Sequence, residues 1–428
     1  MQQTALLAPL VFAACLASLP ARPARADLQL TWTAAVAETA RENADLHSAK
    51  ASLQAAKDAE TAAYSTDYPE ISGSLDYSYG NNGSTSLNPT GNLATSGWGA
   101  SLNGSESVFS GFRDQGHILL AKAATAQSQA NLELLQAKVS DELTAAYAGL
   151  IYAQRAVDLQ KEILERRTGN LNVVTLRFES GGENKGSVLL SKAYLAQANY
   201  DALLARDNIE VARAALSRAM GRDEPAEFKI TDTVPEQNPP PAPDFRGLAT
   251  DTPTHRRVVA QAISTEAGVT VARAGFFPTL NVSAVYGWQG PSFFPQHDRW
   301  SVGASLTLPI FSGGRDYYGT KGALESFKAA IFNLNSTDRE LLTQLRQTYH
   351  AFAEAIVKLA VDQSFVDASS VREEIARNQY NNGLISFNDW DIIESDMINR
   401  QKSRLDSERN RITTQSSWQQ TQGKGVIQ

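Results

Sequence analysis

Cysteine is almost missing from this sequence. Cys15 is the only one in 428 residues, which excludes an intrachain disulfide and a cysteine-based zinc site. Beyond the first 20 residues there is no apolar run long enough for a membrane-spanning helix, so a chain of this kind crosses a bilayer only with strands. The five histidines, His47, His117, His255, His297 and His350, show no metal-ligand spacing. No Gly-x-x-x-x-Gly-Lys-Ser/Thr loop and no nucleophile elbow is present. Neither a metal, a cofactor nor an enzymatic constellation is expected. Basic residues are outnumbered, 39 Lys and Arg against 46 Asp and Glu for a formal charge of −7, which argues against nucleic acid as a partner.

The first residues do carry a signal. An apolar stretch from Ala5 to Leu19 is followed by Pro20 and by Ala24-Arg25-Ala26 before Asp27. This reads as a secretory signal peptide, residues 1–26, cleaved after Ala26. The stretch has roughly 15 residues, too short for a membrane helix, which needs about 20. Its removal takes away Cys15, Arg22 and Arg25 and leaves a mature charge of −7 − 2 = −9. In a competing reading, Phe12-Ala13-Ala14-Cys15 is a lipoprotein processing site with Cys15 lipidated, although Phe12 fits that site poorly.

The remainder is written twice. Phe109-Ser110-Gly111-Phe112-Arg113 returns as Phe311-Ser312-Gly313-Gly314-Arg315, an offset of 311 − 109 = 202. The same offset carries Tyr147 to Tyr349, Phe178 to Tyr380, Gly181 to Gly383 and Gly221 to Gly423. A register held without insertions over such a distance fits long helices rather than loops. Earlier in each half the offset is 277 − 68 = 209, taking Tyr68-Pro69 to Phe277-Pro278, so the loops after Tyr79 and Trp288 differ by seven residues.

Each half begins with a helical segment, Trp32 to Ala63 and roughly Thr254 to Ala274, which a proline ends. Two alternating segments follow, expected as strands at about 70–80 and 97–108, and again at about 279–288 and 299–310. Ile71, Leu75, Tyr77 and Tyr79 alternate with Ser72, Ser74, Asp76 and Ser78. Period 2 over about 10 residues with aromatics near the ends is the pattern of an outer-membrane strand. Tyr77, Tyr79, Trp98, Tyr286, Trp288 and Trp300 are the candidate interfacial aromatic girdle. The Gly-, Ser- and Asn-rich loop from Gly80 to Ser96 is expected to face outward, and Glu106 falls on the lipid side by register.

After the strands the period becomes helical. Leu143, Tyr147, Leu150, Ala153 and Val157, with their counterparts Leu345, Tyr349, Phe352, Ala355 and Leu359, keep spacings of three and four, a seam for partner helices. Long helices are expected at about 113–178 and 187–220, and again at about 315–380 and 387–422. The domains are then a first repeat at 27–221, a linker at 222–250 with prolines from Pro235 to Pro243, and a second repeat at 251–428. Acidic pairs such as Glu373-Glu374 read as solvated helix faces.

Four strands cannot close a barrel, and an open edge in lipid leaves backbone groups unpaired at several kcal/mol each. The chain must therefore oligomerise if these strands lie in a membrane. Phe311-Ser312-Gly313-Gly314 after a strand ending Leu308-Pro309, the run Phe277 to Leu280, the doubled layout, and the turns Arg177 to Gly181 and Gln379 to Gly383 together resemble the TolC-type outer membrane efflux protein family. That resemblance covers essentially the whole mature chain. It implies a mainly α fold with a membrane β-barrel: duplicated helix–β-hairpin–long-helix units form, as a homotrimer, a 12-stranded outer-membrane barrel above a periplasmic α-helical barrel. It implies a passive exit duct in the outer membrane of a Gram-negative bacterium, in contact with outer-membrane lipid and docked to a periplasmic adaptor (membrane fusion) protein and an inner-membrane pump. Efflux of small molecules is the first expectation. A type I protein secretion duct and an elongated periplasmic coiled-coil structural protein are the alternatives.

The resemblance also marks a periplasmic gate. Asp389, six residues after Gly383, stands where the family places a ring of aspartates, and Tyr380 matches a gate tyrosine. The next ring position holds Ile392, the gate arginine's position holds Ile385, and the matching acidic position in the first half holds Ser187. A latch must then use other groups, with Lys185, Glu183 and Asp391 as candidates. Helix N-capping is the competing role for Asp389. Gly181, Gly182 and Gly383 mark the tip turns and the expected adaptor contact.

Overall fold

The computed structural model describes residues 28–81, 94–224, 227–241 and 243–427. The expected signal peptide, Cys15 with it, and most of the loop after Tyr79 lie outside the described residues. Among the described residues the fold is mostly helical, 71%. In order it forms β1 (Leu28–Leu30), α1 (Trp32–Glu42), α2 (Ala44–Ala63), β2 (Glu70–Asn81), β3 (Ala94–Phe109), α3 (Arg113–Glu179), α4 (Lys185–Ala219), β4 (Phe228–Ile230), α5 (Phe245–Asp251), α6 (Pro253–Arg273), β5 (Thr279–Gly290), β6 (His297–Thr307), α7 (Arg315–Asn381) and α8 (Phe387–Thr421). The two repeats agree closely: α3 and α7 have 67 residues each, α4 and α8 have 35 each. A straight helix of that length spans roughly 100 Å.

Three features depart from the sequence reading. The segment from Trp32 to Ala63 is two helices, because Asn43 leaves helical geometry and its carboxamide accepts the Asp45 and Leu46 N–H groups at 3.0 and 3.1 Å, capping α2. The apolar pattern runs through this break and conceals it. The 222–250 segment is more than a linker. It contains β4, which pairs in parallel with β1, and α5. Asp232 beyond β4 accepts the Trp32 N–H at 2.9 Å and the Tyr147 hydroxyl. In the second half Tyr349, the counterpart of Tyr147, donates to the Pro240 carbonyl at 2.9 Å, so the same tyrosine pins the connection twice. Finally, β6 stops at Thr307 rather than 310, just before Leu308 and Pro309, a residue with no N–H for a ladder.

Strand order is β2–β3–β5–β6, antiparallel throughout. Residues directly opposite in such a ladder share a face. One set of rows reads Gly73, Leu102, Tyr286, Trp300 and Leu75, Ala100, Trp288, Asp298; the alternate set reads Ser74, Ser101, Gly287, Arg299 and Ser72, Asn103, Val285, Ser301. One face is thus aromatic and aliphatic and the other polar, with Ser74 and Ser101 hydrogen-bonded across it at 2.8 Å. Glu106 lies opposite Val282, in the row that alternation assigns to the apolar face.

Below the sheet the helices pack side by side as α2–α3–α6–α7, and nearer the tip as α4–α3–α8–α7. Leu143, Tyr147, Leu150 and Ala153 of α3 and Leu345, Phe352 and Ala355 of α7 are buried in that layer. Each long helix starts from a left-handed residue, Phe112 (φ 70°) before α3 and Gly314 (φ 87°) before α7. A glycine takes that conformation freely, whereas a side chain there costs on the order of 1 kcal/mol. Phe112 is held by edge-on contacts with Phe109 and Phe277, each at 5.3 Å.

Candidate functional site: the helical tip

At the far end from the sheet, α3 turns into α4 and α7 into α8 through the same device. Gly181 (φ 78°) and Gly383 (φ 76°) sit just past each helix end in the left-handed conformation. The following N–H groups, of Gly182 and Leu384, reach back to the carbonyls of Arg177 and Gln379 at 2.7 and 2.8 Å. This Schellman closure reverses the chain in few residues, and a residue with a Cβ would be strained at either glycine. The returning helices are capped by Asn184, which accepts the Ser187 N–H at 3.0 Å, and by Ser386, which accepts the Asp389 N–H at 3.2 Å. The Ser386 hydroxyl donates in turn to the Asp389 carboxylate at 2.7 Å. The cap of α8 is therefore Ser386, and Asp389 is the first-turn partner of the cap rather than the cap itself, with its side chain exposed.

Tyr380 is the centre of the tip. It is 1% exposed, its ring stacks on Trp390 at 4.6 Å and 15°, and the Arg177 guanidinium lies 4.6 Å from its ring centroid. Its hydroxyl donates to Glu183 at 3.0 Å, and Arg177 also donates to its backbone carbonyl. Burial, together with the Glu183 carboxylate, pushes the phenol well above its ordinary value, so it remains a donor. Glu183 is pushed up by partial burial, but hydrogen bonds from the Asn184 N–H, Ser187 and Tyr380 and the Arg177 charge outweigh that and hold it below the ordinary carboxylate value. These contacts tie the α3/α4 turn to the α7/α8 turn.

A second set of ties lies one step up the helices. Arg167 of α3 pairs with Asp391 of α8 at 3.1 Å and donates to Ser395 at 3.0 Å, with its guanidinium 4.5 Å from the Tyr194 ring centroid of α4. Arg166 reaches Glu373 of α7 at 3.4 Å.

Of the candidate gate residues, the structure brings Tyr380, Glu183 and Ser187 together, the last through a 2.9 Å bond from its hydroxyl to Glu183. Asp391 is committed to Arg167 within the chain. Ser187 is buried in its own turn, and Lys185 is exposed at the start of α4. Gly182 follows the α3 turn. Glu373 overturns the reading of Glu373-Glu374 as a solvated pair, since it is 3% exposed. Arg177, Arg167 and Trp390 were missed as site residues. Arg177 had one available signal, a basic residue in the last helical turn beside unpaired carbonyls.

The girdle candidates cluster on the apolar face. Tyr77 meets Trp98 at 4.6 Å and Tyr286 meets Trp288 at 5.1 Å, while Tyr79 and Trp300 are each 71% exposed. Among the described residues no group of His, Cys, Asp and Glu suited to a metal ion occurs, and no helix is long and apolar enough to cross a membrane.

A four-stranded sheet with one apolar face, set on a layer of long helices that ends in two tied turns, is the architecture of an outer-membrane protein with a large periplasmic part. The chain belongs to the outer membrane efflux protein family, whose sequence model matches residues 35–222 and 256–423. It is similar to the alkaline protease secretion protein AprF of Pseudomonas aeruginosa, 24% identical over 237 residues, 52% of this chain and 48% of that protein. The chain thus aligns with about half the length of AprF. It is similar to the outer membrane efflux protein BepC of Brucella suis, 20% identical over 368 residues, 85% of this chain and 78% of that protein. In fold it is similar to the outer-membrane channel OprN, with a TM-score of 0.83, 19% identity, and coverage of 92% of this chain and 90% of that one.

Proposed function

We propose that the chain is one of three identical subunits of a passive exit duct for small molecules, closed at its periplasmic tip and docked there to an adaptor protein and an inner-membrane pump. The observation that carries this reading is the pair of open edges. At every level of the molecule one edge belongs to the first repeat (β2, α2, α4) and the other to the second (β6, α7). Two different edges that meet head to tail generate a ring, and a ring is the form in which a sheet leaves no unpaired N–H or C=O in lipid. Closure is what the edges require; the number three is what the family resemblance implies, and it yields a 12-stranded barrel.

The helical edges carry apolar positions at heptad spacing that nothing among the described residues covers. Leu189, Tyr200 and Leu203 on α4 and Val357, Val361 and Val371 on α7 are all exposed. Counted from the tip, Leu203 of α4 stands level with Ser364 of α7. Cysteines at these two positions crosslink between subunits if the ring forms, and the detergent-solubilised protein has the mass of a trimer. A monomer with no crosslink refutes the reading.

At the tip, Asp389 from three subunits forms the anionic ring, and the Tyr380–Glu183 and Arg177–Tyr380 contacts act as the closing ties. The exposed turns at Gly181, Gly182 and Gly383 offer the adaptor surface, and the six aromatics of the sheet sit at the lipid boundary. Small-molecule efflux is favoured over protein secretion because the alignment with BepC, an efflux protein by name, runs over 85% of the chain, against 52% for AprF, a secretion protein by name.

A further inference from the structure

Between the tip ties and the body of the helices lies a buried carboxyl pair that the gate does not use. Glu373 of α7 is 3% exposed and Glu394 of α8 is 1% exposed. An Oε1 atom on each is buried without a hydrogen-bond donor. Two carboxylates cannot satisfy one another when both are ionised, but one shared proton supplies the missing donor to both. The nearby guanidiniums pair with Glu373, and among the described residues none pairs with Glu394. From α3, Arg166 reaches Glu373 at 3.4 Å, while Arg167 is committed to Asp391 and Ser395. From α7, Arg377 stands 4.0 Å from Glu373. From α4, Tyr194 faces Asp391 and Arg167. Asn170 of α3 lines the same small pocket as Glu394.

We propose that Glu373 and Glu394 hold one proton between them while the tip is closed, and that its loss loosens the seam of α3, α7 and α8, making the pair a pH sensor. It stands eight residues before the end of α7, 381 − 373, roughly 12 Å along the helix. Burial, the hydrogen bond to Glu373 and the charge of Glu373 push Glu394 up to about 7, with Arg167 and Asn170 opposing. A carboxyl raised in the closed state favours closure at low pH and loses that contribution as pH rises through its closed-state value. If opening returns Glu394 toward its ordinary carboxylate value, the opening equilibrium rises as pH climbs through the raised value. The structural role of the pair is independent of transport; its role in gating rests on the tip being the closure.

Hydrogen–deuterium exchange of the full assembled protein tests it, read at the α3, α7 and α8 residues near the tip and corrected for intrinsic exchange rates. Wild type is expected to open more at pH 8 than at pH 6, and Glu394→Gln, which cannot ionise, to show no such rise. An equal rise in wild type, Glu394→Gln and Glu373→Gln overturns the proposal, as does a flat wild type. Should Glu394→Gln fail to assemble, infrared titration of the wild type decides: a protonated-carboxyl band lost between pH 6 and pH 8 and missing in Glu373→Gln supports the pair, and a wild type without such a band refutes it. Channel conductance across the same range reads the gate separately. Flat conductance alongside pH-dependent exchange upholds the sensor and refutes the tip as the conductance barrier.

Discussion

The two tip turns share a backbone and differ in chemistry. Both close with the same glycine geometry and both return through a polar cap, at Asn184 and Ser386, which are again 202 apart. Yet the first turn carries Arg177, Phe178, Glu183 and Ser187 where the second carries Gln379, Tyr380, Ile385 and Asp389. Phe178 is 41% exposed and Tyr380 is 1% exposed. The duplicated turns have become complementary partners: the first supplies the charges, and the second supplies the aromatic surface on which they act. A duplication fixes the frame, and divergence within it makes one copy a ligand for the other.

The strongest test of this division is at the buried partners of the second turn. Trp390, whose counterpart by the same offset is Val188, stacks on Tyr380, and Trp390→Ala should cost about 3–5 kcal/mol through the cavity it leaves. Arg167→Ala should cost about 3–5 kcal/mol by stranding the Asp391 carboxylate, and Asp391→Asn should recover part of it. Both are read as lost exchange protection confined to the tip. Equal effects from Val188→Ala and Trp390→Ala would break the asymmetry.

The exchange of aromatic residues gives a smaller effect and a sharper one. Tyr380→Phe removes the bond to Glu183 and should loosen the tip by about 1 kcal/mol, raising single-channel conductance. Phe178→Tyr, on the exposed side of the first turn, should change stability by no more than about 0.5 kcal/mol. The same bond sets a pH dependence. Glu183 is held below its ordinary value in the folded state, so its contribution is complete above the ordinary carboxylate range and disappears as pH falls through the lowered value. Conductance should therefore rise on acidification in wild type and rise less in Tyr380→Phe, where the Asn184, Ser187 and Arg177 interactions with Glu183 remain. This acts at the opposite end of the pH scale from the carboxyl pair above.

The smallest stability effect belongs to Asp389. Asp389→Asn keeps the side chain's capacity to accept from Ser386 and should alter stability by less than about 0.5 kcal/mol, while it weakens cation selectivity and block by a trivalent cation. Because Ile392, about one turn further on, is apolar, Asp389 acts without a second carboxylate there and the block should be weak and salt-sensitive. Unchanged selectivity would leave Asp389 as a partner of the cap alone.

The sequence by itself determined the repeats. Their offset of 202, the alternation of Ser72 to Tyr79, and the proline-free stretch through α3 are local signals, since period and helix propensity act within a few residues of chain. The break at Asn43 and the three-residue strands β1 and β4 escaped, because a cap inside a continuous apolar pattern and a short strand carry no period of their own. At the tip only the tertiary structure decided which group meets which. Tyr380 and Glu183 are 197 residues apart and Arg167 and Asp391 are 224 apart. A side chain's type states what it can bond, but its partner is chosen by the packing of α3 against α8, which no local pattern encodes. The burial of Glu373 belongs to the same class: beside Glu374 in the chain it looks solvated, and only the approach of a third helix takes the water away.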